Sequence, residues 1–236
     1  MKRLGDTGMT LATEKEYDSG TEHVIICLKE QGFTTPLANA VLQQSQQLFA
    51  LRIWILDNSG SMNEADGRQL VATKKRTDVQ WVKCTRFAEL QECVYYHAQL
   101  NALLEAPTKF ILLNPPSNGL SQYFGVGEMD LERIEEDLIS LHKTLMNVCP
   151  RGVTPLTTHL RNIFHTIQGM EDSLRREGKM ISIVLATDGK LSFVIFRSLC
   201  IHSFVLLIPY TVMLLVIPRL AVRRVWVNDT DRACRI

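Results

Sequence analysis

Leu51-Arg52-Ile53-Trp54-Ile55-Leu56-Asp57-Asn58-Ser59-Gly60-Ser61 passes directly from an apolar, β-rich run into a polar turn. Six such residues suit a strand buried inside a parallel sheet, and Asp57 stands where that strand ends. Met180-Ile181-Ser182-Ile183-Val184-Leu185-Ala186-Thr187 repeats the arrangement, with Asp188-Gly189 at its end. A third strand is expected over Lys109–Leu113, stopped by Pro115-Pro116. Helical spacing of apolar residues marks 86–105 (Phe87, Leu90, Val94, Leu100, Leu104) and 130–147 (Leu131, Ile134, Leu138, Leu141, Leu145). Another helix is expected from Pro155 to about Glu177. Residues 69–84 alternate through Val71, Val79 and Trp81 and predict a hairpin, with Lys74-Lys75-Arg76 as its solvated end. Strands alternating with helices predict an α/β domain: a doubly wound, mostly parallel sheet flanked by helices.

The chain of 236 residues is 46% hydrophobic and 22% charged, so it can bury a core and is not of the disordered class. Its 26 Lys and Arg against 25 Asp and Glu leave a net charge of +1, which provides no electrostatic footprint for nucleic acid. The balance is uneven: residues 191–236 hold six Arg and two Asp, with no Lys or Glu, while residues 1–190 carry −3. A composition break therefore falls near Lys190. Four stretches are expected. Residues 1–20 form a loose leader and 21–47 a helical hairpin, with Gly32 ending the first helix and Pro36 opening the second. Residues 48–190 form the α/β domain, and 191–236 an atypical apolar tail. The six cysteines (Cys27, Cys84, Cys93, Cys149, Cys200, Cys234) follow no metal or haem spacing and read as reduced thiols. Polar residues 5–22 do not continue Lys2-Arg3 into a secretion signal, so a cytoplasmic location is expected.

Three short segments carry chemistry: Asp57-x-Ser59-x-Ser61, Gly152-Val153-Thr154-Pro155-Leu156, and Ala186-Thr187-Asp188-Gly189. Two lie at strand ends and one at a helix start, and ligands of open α/β sheets bind beyond the carboxyl ends of the strands. Asp57, Ser59, Ser61, Thr154 and Asp188 offer two carboxylates and three hydroxyls, all hard oxygen donors. Such donors suit a small divalent cation, magnesium before manganese, and the lack of thiolate or imidazole argues against zinc.

With these motifs in this order, residues 48–190 resemble the von Willebrand factor type A (VWA) domains that carry a metal-ion-dependent adhesion site (MIDAS). The resemblance implies a Rossmann-like VWA fold and a Mg²⁺ or Mn²⁺ site. Ser59 and Ser61 would ligate the metal directly, and Asp57 and Asp188 would act directly or through water. Thr154 would enter or leave the coordination shell as the domain changes state. It further implies a protein partner whose carboxylate completes the coordination, and no enzymatic activity.

Other motifs carry less. Gly125-Val126-Gly127 lacks the third glycine of a dinucleotide loop and reads as a turn. His142, His159 and His165 are scattered, and Ser59 has no paired base. Metal-assisted hydrolysis is the alternative function, and a truncated VWA product the structural one. Ser198–Pro218 is an apolar run near the length of a membrane span, with Arg219, Arg223 and Arg224 beyond it. Three readings of the tail stand: a membrane helix over 198–217 that would make the protein tail-anchored, a gene-model artefact, or elements completing the sheet.

Overall fold

The computed structural model describes residues 19–72, 79–117, 119–188, 210–216 and 221–225. The expected leader therefore lies almost wholly outside the described residues, as do Lys74-Lys75-Arg76 and residues 189–209. The chain divides into two units, residues 1–42 and 43–236.

In the first unit, α1 (Ser19–Glu30) ends at Gly32, whose φ of +91° is a left-handed conformation that glycine accepts without strain. There the Gly32 amide donates to the Lys29 carbonyl at 2.9 Å and the Phe33 amide to the Leu28 carbonyl at 3.1 Å, satisfying the last turn of the helix. Helix α2 (Thr35–Gln47) opens with Pro36 in its first turn, as expected, and crosses the division between the units.

The second unit is built on a six-stranded sheet ordered β5-β4-β1-β6-β7-β8. These strands are β1 (Phe49–Leu56), β4 (Thr108–Leu112), β5 (Tyr123–Val126), β6 (Met180–Thr187), β7 (Tyr210–Val216) and β8 (Ala221–Val225). Strands β4, β1, β6 and β7 are mutually parallel, and β5 and β8 are antiparallel edges. A separate antiparallel hairpin pairs β2 (Gly67–Ala72) with β3 (Val79–Cys84).

Alternation along the central strands separates two cores. On one face Trp54, Leu56, Phe110, Leu112, Val184 and Ala186 pack against α3 (Arg86–Leu103) and α4 (Ile134–Asn147). On the other, Ile53, Ile55, Ile111, Ile183 and Leu185 pack against α5 (Leu156–Glu177) through Leu160, Ile163 and Ile167. A strand covered by helices on both faces has no polar face, which is why β1 and β6 read as mainly apolar runs, interrupted by Arg52 and Ser182. The domain is thus mixed α/β, with a mostly parallel central sheet flanked by helices.

Two expectations change, and one of the three readings of the tail is favoured. Gly125 and Val126 are not a turn but part of β5, opposite Lys109 and Thr108. A Cβ on Gly125 would stand 2.7 Å from Glu128 Oε2 and 3.3 Å from the Thr108 carbonyl oxygen, so the glycine marks a close approach inside a strand too short to show a period. The helix expected over 130–147 begins as a 3₁₀ turn, Leu131–Arg133, and becomes α-helical at Ile134. Tyr210–Val216 lies in the apolar run for which three readings stood; it is strand β7, in register with β6 from Ile181 to Thr187, which agrees with elements completing the sheet and not with a membrane helix over 198–217. Periodicity alone does not separate a buried strand from a buried helix in a uniformly apolar run. Among the described residues no helix is long and apolar enough to cross a membrane.

One guanidinium is only partly compensated. Arg52 of β1 donates from Nη2 to Ser45 Oγ at 2.8 Å and lies 5.3 Å from the Phe49 ring centroid, but its buried Nη1 has no partner among the described residues. Burial pushes its pKa down to about 10. A half-buried cation with no carboxylate partner among the described residues costs desolvation that the Ser45 hydrogen bond and the Phe49 ring repay only in part. Arg52→Met is expected to raise stability by about 1 kcal/mol, seen as a higher urea midpoint at unchanged slope; a lower midpoint would contradict this.

Candidate metal centre

Strands β1 and β6 are neighbours, and the chain leaves them in opposite directions: from β1 to β4 on one side, from β6 to β7 on the other. This is the switch point of an open α/β sheet, the place past the strand ends where ligands of such sheets generally bind. Asp57 directly follows β1, and Asp188 directly follows β6.

Asp57 is 1% exposed. Its Oδ1 accepts the Ser59 amide at 2.9 Å, an Asx turn that reverses the chain, and its Oδ2 accepts Thr187 Oγ1 at 2.7 Å, which ties the end of β1 to β6. Each carboxylate oxygen keeps a further lone pair. Ser59 Oγ and Ser61 Oγ converge to 3.2 Å. Two adjacent ligands of an octahedral magnesium, with bonds of about 2.1 Å, stand about 3.0 Å apart. The serine pair is therefore near the spacing of an octahedral edge, and the donor set is the hard-oxygen set that magnesium or manganese takes.

Asn58 is wholly buried and holds the turn from beneath. Its Nδ2 donates to the Asn114 carbonyl at 2.9 Å, and its Oδ1 accepts the Asn114 amide at 2.8 Å. The loop before α5 is sewn to the same turn: the Gly60 amide donates to the Gly152 carbonyl at 3.1 Å, the Arg151 amide to the Asn58 carbonyl at 2.8 Å, and Asn63 Nδ2 to the Pro150 carbonyl at 2.9 Å. Gly152 has φ +80°, and a Cβ there would stand 3.0 Å from Asn114 Oδ1, so this close seam requires glycine. Thr154 follows two residues later. Its side chain is exposed, with no hydrogen-bond partner among the described residues. Pro155 is the cap of α5 rather than its first residue.

Asp188 is not free. Arg86, the first residue of α3, donates from Nη1 to Asp188 Oδ2 at 2.9 Å, and from Nε and Nη2 to the Asp66 carboxylate at 2.7 and 2.6 Å. The hydrogen bonds to Asp66 and Asp188 raise the Arg86 pKa above its ordinary value, and the bond from Arg86 lowers that of Asp66. His159, buried at the start of α5, has its Nε2 2.9 Å from the Leu113 carbonyl oxygen. Among the described residues no three or more His, Cys, Asp or Glu cluster, so a cation here depends on hydroxyl oxygens.

Asp57, Ser59 and Ser61 thus share one turn, Asp188 ends the adjacent strand, and the loop leading to Thr154 is bonded to the turn. Sequence reasoning missed Asn58, Asn114, Thr187 and the Asp66–Arg86 pair. Thr187 was within reach, as a lone hydroxyl closing the apolar run 183–186. Arg86 gives no local signal, because its partners lie 20 and 102 residues away. No protein-family model matches the chain, and no curated protein matches it.

Proposed function

We propose that residues 48–190 carry a VWA-type domain with a metal-ion-dependent adhesion site, and that the protein is a divalent-cation-dependent protein-binding module. The observation that carries this reading is the Asp57-x-Ser59-x-Ser61 turn at the switch point, its serine oxygens 3.2 Å apart, beside Asp188 at the neighbouring strand end. Ser59 and Ser61 would hold Mg²⁺ or Mn²⁺ directly, Asp57 and Asp188 directly or through water, with Thr154 on the facing loop. A bound cation would supply a positive centre for a carboxylate oxygen of a protein partner. The chain's own part is orientation: Asn58 and Asn114 fix the turn, and Thr187 aims the Asp57 carboxylate. Hydrolysis would require a general base at the cation, and His159 has its Nε2 on a backbone carbonyl. Cys27, Cys84, Cys93 and Cys149 are free thiols, which suits a cytoplasmic location.

Calorimetric titration of the full chain with magnesium chloride tests the reading. One binding site is expected, weakened at least tenfold by Ser59→Ala and by Ser61→Ala. Equal affinity in the wild type and both variants would contradict it.

Arg86 sets the strength of this site. Its guanidinium neutralises Asp188 and places a positive charge beside the cation's position. Arg86→Gln keeps a side-chain amide near Asp66 but removes the charge. Magnesium affinity is then expected to rise about tenfold, roughly 1.4 kcal/mol, and more at low ionic strength than in 0.5 M salt. An unchanged or lower affinity would contradict this role.

A further inference from the structure

The β2–β3 hairpin leaves the domain at the metal centre. Asp66 immediately precedes β2, and Arg86, two residues after β3, joins Asp66 to Asp188. One face of the hairpin is turned inward. A Cβ on Gly67 would stand 2.8 Å from the Thr85 carbonyl oxygen, the Arg68 amide donates to Glu89 Oε2 of α3 at 3.1 Å, and Gln69, Val71, Val82 and Cys84 are partly buried. The other face carries Arg68 opposite Lys83, Leu70 opposite Trp81, and Val79 near the far end. Leu70, Val79 and Trp81 are 56%, 66% and 60% exposed.

Two features of this outward face point to an occupant. Three large apolar side chains stand together in water on a two-stranded element, which gains little stability from them there. The row nearest the base sets two cations directly across the strands from each other, a destabilising pairing, and neither side chain has a carboxylate partner among the described residues. A carboxylate from outside would relieve that repulsion while its neighbours covered the apolar rows.

We propose that this face binds an acidic, extended segment of a protein partner, of the pattern acidic-x-apolar-x-apolar. In an extended chain, side chains two apart point the same way and repeat at the spacing of the hairpin's own rows. The acidic residue meets Arg68 and Lys83, the first apolar residue meets Leu70 and Trp81, and the second reaches Val79. That the segment belongs to the same partner whose carboxylate completes the cation rests on the metal-dependent reading; the surface itself does not.

The test uses the full chain and a fluorescein-labelled peptide containing Asp-Ser-Leu-Ser-Leu, read by anisotropy in magnesium and again in EDTA. Binding is expected in both buffers, at least fivefold tighter than that of peptides with Lys for Asp or Ser for both Leu. Arg68→Glu and Trp81→Ser, both solvent-facing, are each expected to weaken it at least fivefold. Equal binding by both variants, or no preference over the control peptides, overturns the proposal. Binding lost in EDTA but indifferent to both substitutions overturns it too, and places the peptide at the cation instead. So does failure of the peptide to bind while Trp81→Ser abolishes either sedimentation with phosphatidylserine vesicles or self-association, since the face then serves a membrane or a second copy. A chain that binds no magnesium but shows the expected peptide result upholds the surface and refutes only the metal-dependent reading.

Discussion

Asp57→Ala is expected to abolish divalent-cation binding, a loss of at least 100-fold, and to lower stability by about 3 kcal/mol even without metal. The two effects have separate origins. The Asp57 carboxylate is almost fully buried and accepts hydrogen bonds from the Ser59 amide and Thr187 Oγ1. Bonds to a charged acceptor contribute about 1.5–3 kcal/mol each, and alanine leaves both donors unpaired in a buried place. The metal effect follows from removing one of two carboxylates and unwinding the Asx turn that brings the serine oxygens together. Asp57→Asn separates the effects. It retains an acceptor and the side chain's volume but loses the charge, so it is expected to fold with less than half the stability loss and still to lose the cation. Urea unfolding and magnesium titration of both variants read this out; full magnesium affinity in Asp57→Asn would contradict the assignment.

Phe110→Ala is expected to cost about 4 kcal/mol without changing the chemistry of the site. Phe110 is fully buried in the middle of β4, with its ring centroid 5.6 Å from Phe124 and 6.2 Å from Trp54. The ring bridges β5, β4 and β1 on the α3 and α4 face. Deleting it leaves a cavity that rigid strands on three sides do not close. Thermal and urea unfolding check the magnitude, and a loss below about 1.5 kcal/mol would show that α3 and α4 collapse into the space.

How much was legible follows from where the information lies. The residues of β1 and β6 announce themselves because strands covered on both faces are mainly apolar, and the polar turn after β1 stands out against that run. The hairpin was legible from its alternation. The edge strand β5 was not, because Tyr123-Phe124-Gly125-Val126 is too short for a period and holds a glycine. The apolar run near 210 was ambiguous for the opposite reason: it has no polar face to reveal a period of 2 or of 3.6. At the site, three motifs name the proposed oxygen donors, but not the groups that hold them in place. Asn58 occupies a variable place in its motif, Asn114 sits before a proline pair, and Arg86 reaches Asp188 across 102 residues. Such contacts are set by strand order, which single-sequence patterns do not encode.

The central claim is that a divalent cation sits between the Asp57–Ser61 turn and Asp188. Anomalous scattering from manganese in crystals of the full chain, grown with and without manganese chloride, tests it most directly. The account predicts one strong manganese peak in contact with Ser59 Oγ and Ser61 Oγ, absent from crystals of Asp57→Asn. A peak elsewhere on the chain, or no peak in the wild type at millimolar manganese, would contradict it.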